Sequence, residues 1–297
     1  MAFQQYLAEE VAIDHADGVL PRREALRRLA LLGLGVPAAS ALLAACGGDG
    51  EPASSTTTGA GGAATPSTPA VETEEITFPG PEGRTLRGAW APADQPRGAV
   101  LVIHENRGLN DHIRSVAGRL AADGYPALAI DLLSAEGGTA ALGGEAEAMA
   151  ALSSAPQERF VADMKAGLDE LERRAPGQKL GAIGFCFGGG MTWLLLASGE
   201  PRLAASAPFY GPLPDGADFS GSPNAAVLGV YAEQDERVNA SRDAATAALE
   251  RAGLTHEIVT YQGAGHAFFN DTGPRYNQAA ATQAYAKVLD WFGQHLA

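Results

Sequence analysis

From residue 74 onward, short apolar runs alternate with longer segments whose apolar positions recur every three or four residues. Residues 99–103, 127–130, 179–183, 204–209, 226–232 and 257–261 are the apolar runs, and they read as short buried strands. Helical spacing covers 111–122, 156–174, 189–197, 241–252 and 277–295, with the helix over 111–122 ending near Gly124. Two further strands, 75–78 and 85–90, flank Pro-Gly-Pro-Glu-Gly (79–83) and read as a hairpin. A Gly/Ala-rich stretch over 134–146 reads as a loop. Strands buried on both faces and separated by helices predict an α/β protein with a mostly parallel central sheet covered on both sides.

The chain before residue 74 follows other rules. Arg22-Arg23 and Arg27-Arg28 precede an uncharged Leu/Ala-rich run over 29–46, which ends in small residues at Leu43-Ala44-Ala45-Cys46-Gly47. Basic region, apolar region and small-residue end are the three parts of an export signal. The last five residues resemble a bacterial lipobox, which implies cleavage before Cys46 and lipidation of its thiol. The arginine pair Arg22 and Arg23 resembles a twin-arginine signal, although Ala25 stands where phenylalanine is usual. A membrane helix that is never cut is the alternative; the run is short for a span, and Gly33, Gly35 and Pro37 interrupt it. Residues 46–73 hold little besides Gly, Ser, Thr, Pro and Ala, too little to bury a core, and read as a flexible tether. Three parts result: an export signal over 1–45, a tether over 46–73 and a catalytic domain over 74–297. The expected location is the cell envelope, outside the cytoplasm, with the lipid anchor as the one contact with membrane.

Composition narrows the partners. Of the 297 residues 46% are hydrophobic and 19% charged, in keeping with a globular domain. A net charge of −14 argues against nucleic acid or an anionic membrane surface as ligand. The two cysteines, Cys46 and Cys186, form no C-x-x-C motif, and nothing in their spacing suggests a metal site. No metal or organic cofactor is implied.

Chemistry enters at Gly184-Phe185-Cys186-Phe187-Gly188. This G-x-C-x-G stretch sits between a predicted strand and a predicted helix, the setting of a nucleophile elbow. A thiol there would lie at a helix N-terminus, where the helix dipole favours thiolate. A small buried cysteine in a glycine-rich turn is the plainer reading. Two more reactive side chains fall just past strand ends, Asp235 in Ala232-Glu233-Gln234-Asp235 and His266 in Gly263-Ala264-Gly265-His266. Asp235 could simply cap the helix starting near Ser241 or shape a turn, with Glu233 as a competing acid, and His266 could be a surface loop residue. Their order, nucleophile then acid then histidine, is that of α/β-hydrolases. In that arrangement His266 takes the thiol proton while Asp235 fixes its tautomer. The loop His104-Glu105-Asn106-Arg107-Gly108-Leu109 follows another strand, where this fold places an oxyanion N–H to match the one after the nucleophile, at Phe187. A carboxylate at Glu105 would oppose charge developing there.

These four segments together resemble the dienelactone hydrolase (carboxymethylenebutenolidase) family over residues 75–297. The resemblance implies an α/β-hydrolase fold, a Cys186–Asp235–His266 triad, and backbone N–H groups of Asn106 and Phe187 as oxyanion hole. It also gives Glu105 a purpose, holding the resting thiol protonated until substrate displaces the carboxylate. The substrate it implies is a small ester or lactone. Departures occur at two arginines that hold a dienelactone carboxylate: one position is Asn270 here, and Ser134-Ala135-Glu136 offers no arginine at the other. Such losses weaken charge-assisted binding enough to change the preferred substrate. A tethered binding protein without chemistry and a thiol redox protein are the competing functions. The redox reading lacks a resolving cysteine in the domain.

Overall fold

The computed structural model describes residues 3–46 and 69–297. Eight strands form one sheet: β1 (Glu74–Pro79), β2 (Thr85–Ala91), β3 (Ala99–Ile103), β4 (Ala127–Asp131), β5 (Leu180–Phe185), β6 (Leu203–Phe209), β7 (Ala226–Ala232) and β8 (His256–Tyr261). Their order is β1-β2-β4-β3-β5-β6-β7-β8. β2 pairs antiparallel with β1 and with β4, and every pairing from β4 to β8 is parallel. Strands β3, β4, β5 and β7 are buried along their whole length, which explains why they read as unbroken apolar runs.

The helices, in chain order, are α1 (Phe3–Ala16), α2 (Arg22–Leu31), α3 (Val36–Cys46), α4 (Asp111–Ala122), α5 (Glu145–Ser154), α6 (Gln157–Arg174), α7 (Phe187–Ala197), α8 (Glu236–Asn239), α9 (Arg242–Arg251) and α10 (Gln278–His295). The chain steps from β3 to β4 in one direction across the sheet and from β4 over to β5 in the other. Because parallel crossovers are right-handed, that reversal puts α4 on one face and α6 and α7 on the opposite face. Side chains bear this out: Phe160 of α6 packs edge-on against Phe187 of α7, while Tyr285 of α10 donates to Asp123 at the end of α4 over 2.8 Å. The reversal also opens a crevice between the carboxyl ends of β3 and β5, the place where ligands gather in such sheets.

Two elements differ from the sequence reading. The stretch beyond residue 144 is helical as α5, a run of Ala, Glu and Met too evenly apolar to show a stripe. Asp235 starts α8, a single turn too short to carry a period.

The larger difference lies upstream. The sequence reading takes residues 1–45 as an address outside the fold, yet residues 3–46 form three helices packed on one another and on α5. Tyr6, Leu7, Val11 and Leu29 are buried to 1% exposure or less. The apolar run expected over 29–46 is broken by a turn at Gly33, whose φ is +85°, and α3 ends at Cys46. No helix among the described residues is long and apolar enough to cross a membrane. Most of the tether lies outside the described residues. Its last residues, 69–73, run against α4, where the Val71 N–H donates to the Gly118 carbonyl over 3.0 Å.

Candidate active site

Cys186 occupies the single residue between β5 and α7. Its φ of +55° and ψ of −115° are strained for a side-chain-bearing residue, a strain on the order of 1–3 kcal/mol that surrounding structure must hold in place. Close approach supplies the hold. A Cβ on Gly184 would stand 2.1 Å from the Gly188 carbonyl oxygen, and one on Gly188 would stand 2.2 Å from that of Ile103. Glycine at both positions lets β3, β5 and α7 meet, and the thiol is left at the crevice, 3% exposed. Phe187 opens α7, so its N–H is among those a helix leaves without an intrahelical partner.

Asp235 and His266 come together from the ends of β7 and β8. His266 Nδ1 lies 2.5 Å from Asp235 Oδ2, and Asp235 Oδ1 accepts from the Val238 N–H at 3.3 Å. One carboxylate thus caps α8 and orients the histidine, so the plainer role weighed for Asp235 and the chemical one coexist. Glu233 turns away and accepts from the Gly263 N–H at 2.7 Å. His266 is buried, with the Tyr210 ring 5.2 Å from its own.

His104, read from sequence only as part of a loop motif, does specific work. Its Nε2 accepts from the Leu132 N–H at 3.1 Å, which leaves Nδ1 protonated and donating to the Glu105 carbonyl at 2.6 Å. Complete burial lowers its pKa and keeps it neutral, as that pattern requires. Anchoring the Glu105 carbonyl fixes the plane of the peptide that ends in the Asn106 N–H. Glu105 Oε2 accepts from Asn270 Nδ2 at 2.7 Å, while Oε1 is buried without a hydrogen-bond partner among the described residues. Asn270, the position where the family resemblance leads one to expect arginine, therefore steadies Glu105.

The N-terminal helical segment 3–46 (the leader) enters this crevice. Tyr6 Oη lies 3.3 Å from Cys186 Sγ, and Phe3 packs edge-on against Phe187. Glu10 reaches His266, with Oε1 3.4 Å from Nε2, and its other oxygen accepts from Arg237. Arg237 also donates to the Tyr6 carbonyl at 2.9 Å and lies over the Tyr6 ring. Arg275 pairs with Asp14 at 2.8 Å and with Asp17 at 2.7 Å. Burial opposes charge on Glu10, but His266, Arg237 and Arg275 overcome it and bring its pKa to about 2. Burial likewise opposes charge on His266, yet Glu10 and Asp235 raise its pKa well above the ordinary imidazole value. Burial, then the neighbouring Cys186 and Glu10, push the Tyr6 phenol well upward. What remains open beside Cys186 is a cavity of about 30 Å3, enough for a water or two and far below the 300–1,000 Å3 common for ligand sites.

Cys186, His266 and Glu10 each place a ligand-type atom within 4.8 Å of the others, a set of three that zinc would accept, though Glu10 contributes only while α1 is docked. Sequence reasoning missed Tyr6, Glu10 and Arg237, and it weighed Arg275 only as a stand-in, with Arg107, for the family's missing arginines. A signal was present: residues 1–21 carry Glu9, Glu10, Asp14 and Asp17 and no Lys or Arg, the reverse of the basic start an export signal needs.

A mostly parallel eight-stranded sheet with a cysteine elbow at its switch point, and a histidine–aspartate pair at its carboxyl edge, is an α/β-hydrolase. More narrowly, the chain belongs to the dienelactone hydrolase family, whose model matches residues 87–296. A Salmonella typhi protein named as a carboxymethylenebutenolidase is 33% identical over 208 residues, covering 66% of this chain and 77% of its own. A dienelactone hydrolase structure from Klebsiella pneumoniae superposes with a TM-score of 0.67 at 30% identity, covering 75% of this chain and 98% of that one. The promiscuous phosphotriesterase P91 from metagenomic libraries, described as dienelactone hydrolase-like, gives 0.64 at 26% identity over 77% of this chain and all of its own. These two neighbours are almost wholly spanned by about three quarters of this chain. The chain is an ester or lactone hydrolase. That membership decides for an enzyme over the binding and redox alternatives.

Proposed function

We propose that the chain cleaves a carboxylic ester or lactone through a thioester on Cys186, with His266 and Asp235 completing a triad. The observation that carries this is the Asp235–His266 pair at 2.5 Å beside a thiol held at a strained elbow. Asp235 keeps the proton on Nδ1, which leaves Nε2 free to accept the Cys186 proton. The sulfur bonds to the carbonyl carbon, and the carbonyl π pair moves to oxygen, where the N–H groups of Asn106 and Phe187 receive the charge. Collapse breaks the carbon–oxygen bond, and the leaving oxygen takes the proton from His266. Water, deprotonated by the same nitrogen, then attacks the thioester; the acid departs and the thiol regains its proton. From a lactone the leaving hydroxyl stays part of the product. Glu105, with one unpartnered oxygen in the crevice, serves as the acceptor for the resting thiol once Tyr6 is absent.

The test is intact-mass detection of an acyl adduct on residues 74–297 mixed with p-nitrophenyl acetate. A +42 Da adduct at Cys186 and its loss in Cys186→Ala are expected; undiminished turnover by that variant would overturn the mechanism.

We also propose that residues 1–45 direct export and are removed before a lipidated Cys46. Arg22 and Arg23 are exposed at the start of α2, and Leu31 and Val36 of the apolar run are 44% and 72% exposed, so the segment is accessible while α1 is docked. Mass analysis of the mature protein from cells tests it. An N-terminus at Cys46 carrying acyl chains is expected, and an intact Met1 chain in the envelope would refute it.

A further inference from the structure

Arg237 and Arg275 flank the thiol on the catalytic domain, 11% and 17% exposed in their side chains. Among the described residues, their hydrogen bonds go only to the leader, to Tyr6, Glu10, Asp14 and Asp17. With α1 docked over them, both cations are shut away from water and need partners, since an unpaired buried charge is costly. The leader meets the need with Glu10 and Asp14, one helical turn apart on the same face of α1. Its Tyr6, one turn earlier, reaches the nucleophile.

We propose that the crevice between Arg237 and Arg275 is a docking surface for an acidic helix, and that α1 is its occupant and an intramolecular inhibitor of the enzyme. This rests on the hydrolase reading above for what is inhibited. Three effects act together. Tyr6 and Glu10 fill the place beside Cys186 where a substrate carbonyl must enter, leaving too little room for any ester. Glu10 faces Nε2 of His266, the nitrogen that must accept the thiol proton, and favours its charged form, which cannot accept one. Arg27 with Glu147, and Arg28 and Arg107 with Glu145, tie α2 and the domain loop to α5 around the crevice.

Release follows from how the leader is joined. Covalent connection through residues 47–73 holds α1 at an effective concentration on the order of millimolar, and cutting the connection at micromolar protein weakens docking about a thousandfold by dilution alone. A cut before Cys46 would therefore switch the enzyme on in the compartment where the leader is removed, and the precursor would stay silent before it.

The test compares the full chain, its Glu10→Ala/Asp14→Ala variant, and a full chain with a site-specific protease sequence inserted within residues 47–68, before and after cutting. Two rates are read at pH 7.5: alkylation of Cys186 by iodoacetamide, followed by peptide mass so that Cys46 does not contribute, and hydrolysis of p-nitrophenyl acetate. Both should rise at least tenfold in the variant and in the cut chain. A synthetic peptide of residues 3–17 should slow the cut enzyme again, and the same peptide with alanine at positions 10 and 14 should not. An unfolded variant would lose hydrolysis, the opposite of the expected gain. Equal rates in all forms, with hydrolysis dependent on Cys186, would overturn the inhibitor and leave the hydrolase standing. Faster alkylation on release with no hydrolysis in any form would support docking and remove the hydrolytic reading.

Discussion

Replacing Asp235 with asparagine tests the triad at the atom where it is most constrained. Both carboxylate oxygens of Asp235 accept hydrogen bonds, Oδ1 from the Val238 N–H and Oδ2 from His266 Nδ1. Asparagine offers one acceptor. If its oxygen keeps the cap of α8, its NH2 faces Nδ1, which must then give up its proton and accept. The imidazole proton moves to Nε2, and the base can no longer take the thiol proton. If the oxygen turns to His266 instead, the NH2 faces the Val238 N–H and the first turn of α8 loses its cap, at a cost of about 0.5–2 kcal/mol. Loss of the correct tautomer in a serine-protease triad lowers kcat by about 10^4, or ~5.4 kcal/mol, and a thiol, being easier to ionise than a hydroxyl, should lose less, about 10^2–10^4. The assay is steady-state hydrolysis of p-nitrophenyl acetate by residues 74–297 at pH 7.5, with circular dichroism to confirm the fold. Glu233→Gln is the control, since Glu233 serves the Gly263 N–H and should change kcat less than about twofold. Retention of more than a tenth of wild-type kcat in Asp235→Asn would refute the tautomer argument. A larger loss in Glu233→Gln would show that the wrong acid had been chosen.

His104→Ala should lower kcat about 10^2-fold with little change in KM, because it frees the peptide carrying the Asn106 N–H. It should also cost roughly 1–3 kcal/mol of stability, as Leu132 N–H loses its acceptor inside the core. A kcat within threefold of wild type would place the oxyanion site elsewhere. Docking of α1 should depend on pH in two directions. His266 faces Glu10, Asp235, Cys186 and Tyr210; Asp235 and Cys186 act on it docked or not, so docking adds the upward push of Glu10, and that contribution is full at lower pH and is lost as pH rises through the docked pKa. Glu10, facing His266, Arg237, Arg275 and Asp14, falls from 4.5 to about 2, so its contribution is full above 4.5 and is lost as pH falls toward 2. Protection of the α1 amides against hydrogen exchange, corrected for intrinsic rates, should therefore peak near pH 5–6, and a flat profile from pH 4 to 9 would contradict the pairings.

The docked leader also changes how the missing family arginines are viewed. Asn270 holds Glu105, and Glu136, near the other expected position, is bound by Arg159 at 2.6 Å. Positive charge has instead gathered at Arg237, in α8, and at Arg275, in the loop before α10.

Most of the fold could be read along the chain because its strands are buried on both faces, and a run such as 99–103 has no other stable use than the middle of a sheet. The three residues of the proposed triad, Cys186, Asp235 and His266, were legible for a related reason. Each sits at a strand end, where local sequence dictates both the turn and the side chain it presents. The family resemblance chose Asp235 over Glu233; the structure adds where the loop aims each, Asp235 to His266 and Glu233 to the Gly263 N–H. His104 was invisible as a positioning residue because its partner, Leu132, is 28 residues away. The leader was the deepest gap. Its arginines and apolar run follow the local grammar of an address, and that grammar is silent on contacts made across 180 residues between Tyr6 and Cys186, or 231 between Tyr6 and Arg237. Periodicity and spacing determine what a segment can form on its own. Which charge answers another is decided only when the sheet has brought the ends of β5, β7 and β8 to one crevice, where Arg237 and Arg275 meet Glu10 and Asp14.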